Sequence, residues 1–120
     1  MAMPSDHPIT IFPATKRVRV MFAGRVVADT TRALTLKEAS YRPVHYVPRS
    51  DVDMTLLART EHSTHCPYKG DASYFSINAG GRVAENAIWS YEHPFAGVAE
   101  IAGYVAFYPS RVDAIEEAPL

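Results

Sequence analysis

The stretch from Thr64 to Phe75, THCPYKGDASYF, gathers the only cysteine of the chain, a histidine beside it, a Lys-Gly pair and two tyrosines. Cys66 is a candidate nucleophile with His65 or His62 as its base, since thiolate attack needs a proton acceptor within reach. On extended backbone, neighbouring side chains face opposite ways, which sets His65 badly for Cys66. The competing reading of Cys66 is a small buried hydrophobe. His62, His65, Cys66 and His93 carry donor atoms that suit zinc. Their His-x-x-His-Cys spacing matches no closed four-ligand pattern, so no native metal site is expected. Lys69-Gly70 offers a charge and a close backbone approach to phosphate. No glycine-rich run precedes the lysine and no Ser or Thr follows it, as a Walker loop requires. Gly70 reads as a positive-φ residue closing a Pro-Tyr-Lys turn. The charge of Lys69 remains the strongest single functional candidate, because a turn by itself needs no lysine.

Two further groups carry chemistry. Asp51-Val-Asp53 is a D-x-D pair, the carboxylate set that holds magnesium against a triphosphate in nucleotidyl transfer. The same residues also read as a helix start, with Ser50 as N-cap and Asp53 in the first turn, and that reading needs no metal. Catalytic candidates are therefore Cys66, Lys69 and Asp51. Tyr74, Trp89 and Tyr91 recur at strand spacing and can line one wall, where polar tips beside a lysine suit a flat ring or a phosphorylated ligand. Their alternative is packing between sheets, with partners for the hydroxyls and the indole N–H.

These residues need a scaffold. With 120 residues, one domain is expected, and a chain of this length buries enough surface for a core without staples. Apolar content of 48% and charged content of 21% fit a soluble globular class. A net charge of −1 argues against a dedicated nucleic-acid binder, although a basic strip over Lys16, Arg17, Arg19 and Arg25 stands out locally. No apolar run is long enough for a membrane span. The first residues lack the basic start and apolar stretch of a secretory signal, and a lone cysteine gives no internal disulfide. A cytoplasmic protein is the expectation.

Residues 1–15, with Pro4, Pro8 and Pro13, read as an extended arm. Residues 16–115 read as the β domain and 116–120 as a disordered acidic tail. Within the domain, RVRVMF alternates with Val18, Val20 and Phe22 inward. Ala23-Gly24 turns the chain into RVVAD as a hairpin. RALTLKE, VHYV, ASYFSI, NAIWSY, YVAFY and RVDAI read as further short strands. NAGG is the clearest turn. One short helical turn is expected from Ser50 to about Leu57, and a second within HPFAGVAEIAG. Many short strands with little helix give a mainly β class, an all-β sandwich or barrel-like domain.

At YVPRSDV, CPYKGDASYFSI, AIWSYEHP and GYVAFYPSRV the sequence resembles a bacterial family, domain-of-unknown-function family 427, also catalogued as nucleotidyltransferase-like. The likeness runs from about Ile9 to about Val112. Its most specific part is Cys66-Pro67-Tyr68-Lys69-Gly70, followed by Ala72, Tyr74, Trp89, Ser90, Tyr91 and Pro94. The resemblance implies two antiparallel sheets meeting at an angle, a Mss4-like or β-tent architecture. Relatives of that architecture hold zinc through two CxxC pairs, which a single cysteine cannot supply.

The combined reading is a mainly β domain binding a small anionic or nucleotide-like ligand beside the Cys66–Gly70 turn. Lys69 would meet the anion, Tyr74, Trp89 and Tyr91 would form the wall, and Asp51 or His65 would add a polar contact. The alternatives are an enzyme, built on Asp51 and Asp53 with magnesium or on Cys66, and a structural or partner-binding domain. Cofactor, ligand identity and oligomeric state are left open by the sequence.

Overall fold

The computed structural model describes residues 7–120. The chain is mainly β. In order, its strands are β1 (Ile9–Pro13), β2 (Lys16–Phe22), β3 (Arg25–Thr30), β4 (Leu34–Glu38), β5 (Val44–Tyr46), β6 (Leu57–Cys66), β7 (Gly70–Ala79), β8 (Arg82–Ser90), β9 (Ala106–Phe107) and β10 (Ala114–Pro119). Three-residue 3₁₀ turns cover Arg49–Asp51, Met54–Leu56 and Pro109–Arg111, and a longer, kinked one covers Ala96–Ile101.

The ladders divide into three antiparallel sheets, β1-β4-β5, β10-β2-β3 and β6-β7-β8-β9. Two sheets were expected from the resemblance. The third arises because β1 pairs with β4 and β10 with β2, with no ladder joining the two groups; among the described residues the sheets close into no barrel, against the barrel-like expectation. An isolated two-way backbone bridge, Val47 with Val105, at 2.8 and 2.9 Å, links the segment after the first sheet to the start of the last sheet's edge, beside their side-chain packing.

Two tight hairpins set the registers. Ala23 and Gly24 have φ of 51° and 72°, and Gly80 and Gly81 have φ of 57° and 74°. Positive φ at both central residues gives a turn whose twist matches the flanking strands. In β2 the alternation works as read: Val18, Val20 and Phe22 are buried. Both faces of the β6–β9 sheet are covered. Phe75, Ile77 and Ile88 pack against Val20, Phe22 and Val27 of the β2–β3 hairpin. Tyr74 and Tyr91 pack against Leu36, Tyr46, Val98 and Ile101. A bulge between Phe75 and Ile77 on one strand, opposite Ala84 and Ile88 on the other, carries Asn86 at φ 49°. Ser76 accepts the orphaned Asn86 N–H at 3.0 Å.

The ends differ from the expectation. Ile9–Pro13 of the supposed arm is an edge strand, in register with β4 from Ile9–Glu38 to Pro13–Leu34; residues 1–6 lie outside the described residues. The supposed tail is strand β10, with Glu116 opposite Arg19 and Glu117 opposite Val18. Acidic residues there read as solvated coil, yet on this edge strand both stay exposed, Glu116 beside Arg19 at 3.4 Å and Glu117 beside His45 at 2.6 Å, so pairing carries no burial cost. The helix start also moves. Ser50 caps nothing and accepts from Arg32 at 2.8 Å. Asp53 is the cap instead, accepting the Thr55 N–H at 3.1 Å.

Candidate functional site

The Cys66–Gly70 stretch is a tight turn between β6 and β7. The Lys69 N–H donates to the Cys66 carbonyl at 3.2 Å, and the Phe95 N–H donates to the Lys69 carbonyl at 3.0 Å. Gly70 has φ of +114°, a conformation closed to most side chains. The turn amide of Lys69 is thus consumed by the turn itself, which leaves it unavailable to cradle a phosphate.

Folded this way, the turn aims Lys69 inward, and the lysine is 7% exposed. It lines a recess of about 210 Å³ together with Tyr74 of β7, Trp89 of β8 and Tyr91 just beyond it. Tyr74, Trp89 and Tyr91 were read from the sequence as one wall with Lys69 beside it, and the fold brings the four together. Tyr74 and Trp89 are register partners across β7 and β8, which puts both on the same face. The opposite wall was not foreseen. It comes from β4 and β5, through Leu36, Glu38, Val44 and Tyr46, with Tyr108 after β9 and Tyr41 and Arg42 on the lip. Glu38 stood in the sequence as an unremarkable charge at a strand end. Only the pairing of β4 with β1 and β5 shows where it points.

Lys69 donates to Glu38 Oε1, and the other carboxylate oxygen lies 2.6 Å from His7 Nε2. The His7 ring stacks on Tyr68 of the same turn at 3.6 Å between centroids. Burial raises the Glu38 carboxyl, but the bonds from Lys69 and His7 outweigh it and hold it below its ordinary range. Lys69 also sits 5.9 Å from the centroid of the Tyr91 ring. Its charge is therefore compensated inside the protein, contrary to the reading in which it waits for an external anion. On the lip, Arg42 is exposed and forms no ion pair among the described residues.

The aromatic tips are joined. The Trp89 indole N–H donates to the Tyr46 hydroxyl at 3.2 Å. The hydroxyls of Tyr74 and Tyr108 lie 3.2 Å apart, and Thr64 Oγ1 lies 3.0 Å from Tyr74. Trp89 and Tyr108 lean together at 4.5 Å. The Tyr91 hydroxyl has no bonding partner among the described residues, yet it is not sealed from solvent. Burial drives the Tyr46 and Tyr91 phenols far above their ordinary value. Tyr108 is pushed up to about 12 by burial and then by Tyr74. All three stay protonated at neutral pH, so these tyrosines present neutral hydroxyls to the recess.

The remaining candidates lie elsewhere. Asp51 accepts from Thr30 Oγ1 at 2.7 Å and from the Arg32 guanidinium at 3.1 and 3.3 Å, outside the recess. Those bonds from Thr30 and Arg32 hold its carboxyl below the ordinary range. Asp53 is occupied as the cap of the next turn, so the two carboxylates serve different structural partners. His65 is exposed and pairs with Asp71 at 2.7 Å on the outer face. His62 meets the Tyr74 ring edge-on at 4.4 Å. Cys66 is half-buried against the Leu36–Tyr46 cluster. Among the described residues, no three His, Cys, Asp or Glu side chains converge as a metal site, and no helix is long and apolar enough to cross a membrane.

A family profile described as Domain of unknown function (DUF427) matches residues 10–118. No curated protein matches the chain.

Proposed function

We propose that this chain, which belongs to the DUF427 family, is a binding module for a small polar ligand seated in the tyrosine recess. The convergence of Lys69, Tyr74, Trp89 and Tyr91 with Glu38 and Tyr46 on one cavity carries the reading. Size limits what enters. A cavity of about 150 Å³ holds benzene, so 210 Å³ admits one ring with its substituents and not a whole nucleotide. A nucleobase or a sugar ring would lie against Trp89 and Tyr108. The Tyr91 hydroxyl would bond to it, and the Lys69–Glu38 pair would present a donor beside an acceptor. An attached phosphate would remain outside and meet Arg42. No base stands ready for Cys66, and Asp51 and Asp53 are otherwise bonded, so binding is better supported than catalysis.

Trp89 is the only tryptophan, so its emission reports on the recess without labelling. Nucleosides, nucleoside monophosphates and sugar phosphates are titrated against it, with calorimetry in parallel. Quenching by one class, weakened about two- to tenfold by Tyr91→Phe as one hydrogen bond predicts, is the expected result. Neither heat nor quenching with any class ends the proposal.

A further inference from the structure

A second cavity adjoins the recess and shares Arg42, Val44 and Trp89 with it. It is a cleft of about 510 Å³, walled by Val18 and Val20 of β2, Val47, Phe107 and Ile115. The two cavities differ in chemistry. The recess presents phenol hydroxyls and an ion pair, whereas the walls of this cleft are mostly aliphatic and aromatic side chains. The charged residues on its lining are Arg42, His45 and Glu117. His45 Nε2 lies 2.6 Å from Glu117 Oε2, and its other ring nitrogen lies 2.9 Å from Thr35 Oγ1. Those two groups satisfy each other. Arg42 pairs with no carboxylate among the described residues, which leaves a single uncompensated cation at the mouth of an apolar slot.

Such a lining rewards a particular kind of molecule. A polar ligand would lose its hydration against valine and phenylalanine with no bonds in return. A hydrocarbon body gains by burial there, in proportion to its length. A guanidinium at the mouth adds a planar fork matched to a carboxylate. We propose that the cleft is a second binding site, selective for a small aliphatic carboxylate with its chain along Val18, Val20 and Phe107 and its head on Arg42. The proposal does not rest on the recess being occupied. The two sites meet at Arg42, Val44 and Trp89.

The test uses the whole chain and the probes hexanoate, octanoate, decanoate and decanol, followed by calorimetry and Trp89 emission. Affinity is expected to rise about fourfold per added methylene until the cleft is full. Arg42→Ala should weaken decanoate about tenfold and leave decanol unchanged. Ile115→Trp, which fills the cleft from β10, should abolish both without altering binding of any ring ligand in the recess. Should that variant fail to fold, Arg42→Ala alone still decides, because Arg42 is exposed and holds no structural bond. Affinity independent of chain length overturns the proposal, as does an equal effect of Arg42→Ala on acid and alcohol. So does a dimer by light scattering at every concentration that excludes the probes, since the cleft would then belong to a second copy.

Discussion

Lys69 and Glu38, separated by 31 positions in the chain, form an ion pair that is nearly withdrawn from water, with 9% and 16% of their side-chain surfaces exposed. The pair ties the Cys66–Gly70 turn to the end of β4. Under the proposed binding reading, a lysine already neutralised from within would favour hydrogen-bonding ligands over bare anions.

Breaking this pair from one side should cost more than removing it. Glu38→Ala leaves an ammonium buried without its counter-charge, a loss of about 3–5 kcal/mol in comparable settings. Lys69→Met leaves Glu38 with His7 as its remaining partner and should cost less. The double variant Glu38→Ala with Lys69→Met should recover much of the loss. Urea unfolding of the four species closes the cycle. Additive single effects would mean that the two side chains do not interact in solution.

Acid stability should depend on Glu92. Arg59 donates to both carboxylate oxygens, at 2.9 and 2.7 Å, with further bonds from Arg49 and Ser73. Against the opposing effect of burial, these hold the Glu92 carboxyl at about 2, from an ordinary 4.5. A depressed folded value means the stabilisation is complete above the unfolded value and is lost as pH falls from about 4.5 toward 2. Melting temperature followed from pH 6 to pH 2 should fall through that window. Glu92→Gln should lower the plateau and flatten the descent, and an unchanged slope would assign the acid limb to other carboxylates.

The difference between what the sequence disclosed and what it hid follows from distance along the chain. Val18, Val20 and Phe22 alternate within one strand, and Gly80-Gly81 forces a turn locally, so both were legible. Tyr74 and Trp89 were legible as a wall because two adjacent strands joined by that turn bring them into register. Glu38, Tyr46 and Tyr108 were not, since no local pattern says which face of β4 or which end of β9 meets β8. The Lys69–Glu38 bond is the sharpest case. Lys69 looked like an unpaired charge because the sequence around it contains no acid that reaches inward; Asp71, the nearest, turns out to hold His65. The end segments misled for the opposite reason. Proline-rich and acidic stretches carry the composition of coil, and edge strands tolerate both.

Two glycines should respond differently to substitution. Gly24 lies at φ +72° with nothing within 4 Å of an added Cβ, so Gly24→Asn should be nearly silent, asparagine being at ease in that region. Gly70 lies at φ +114°, outside even the left-handed helical region, although the nearest atom to an added Cβ, the His93 carbonyl oxygen, is 3.5 Å away. There is room for a methyl group there but no comfortable backbone. Gly70→Ala should destabilise by about 1–3 kcal/mol through strain alone, and Trp89 emission should shift as the turn and Lys69 move. Equal melting temperatures for the two variants would contradict the assigned turn geometry.

The thiol provides the last test, directed at the enzyme reading. A nucleophilic cysteine depends on its base, so removing that base slows alkylation. His65 is turned away from the half-buried Cys66 and bonded to Asp71 on the exposed face. His62 is engaged edge-on with Tyr74. Alkylation of Cys66 by iodoacetamide should therefore proceed at the same rate in the parent, His65→Ala and His62→Ala proteins. It should accelerate only when the packing around the thiol is opened, as in Leu36→Ala, which removes a buried neighbour from the cluster covering it. A severalfold drop in either histidine variant would show an imidazole acting on Cys66 that the folded arrangement does not provide, and would put catalysis ahead of binding.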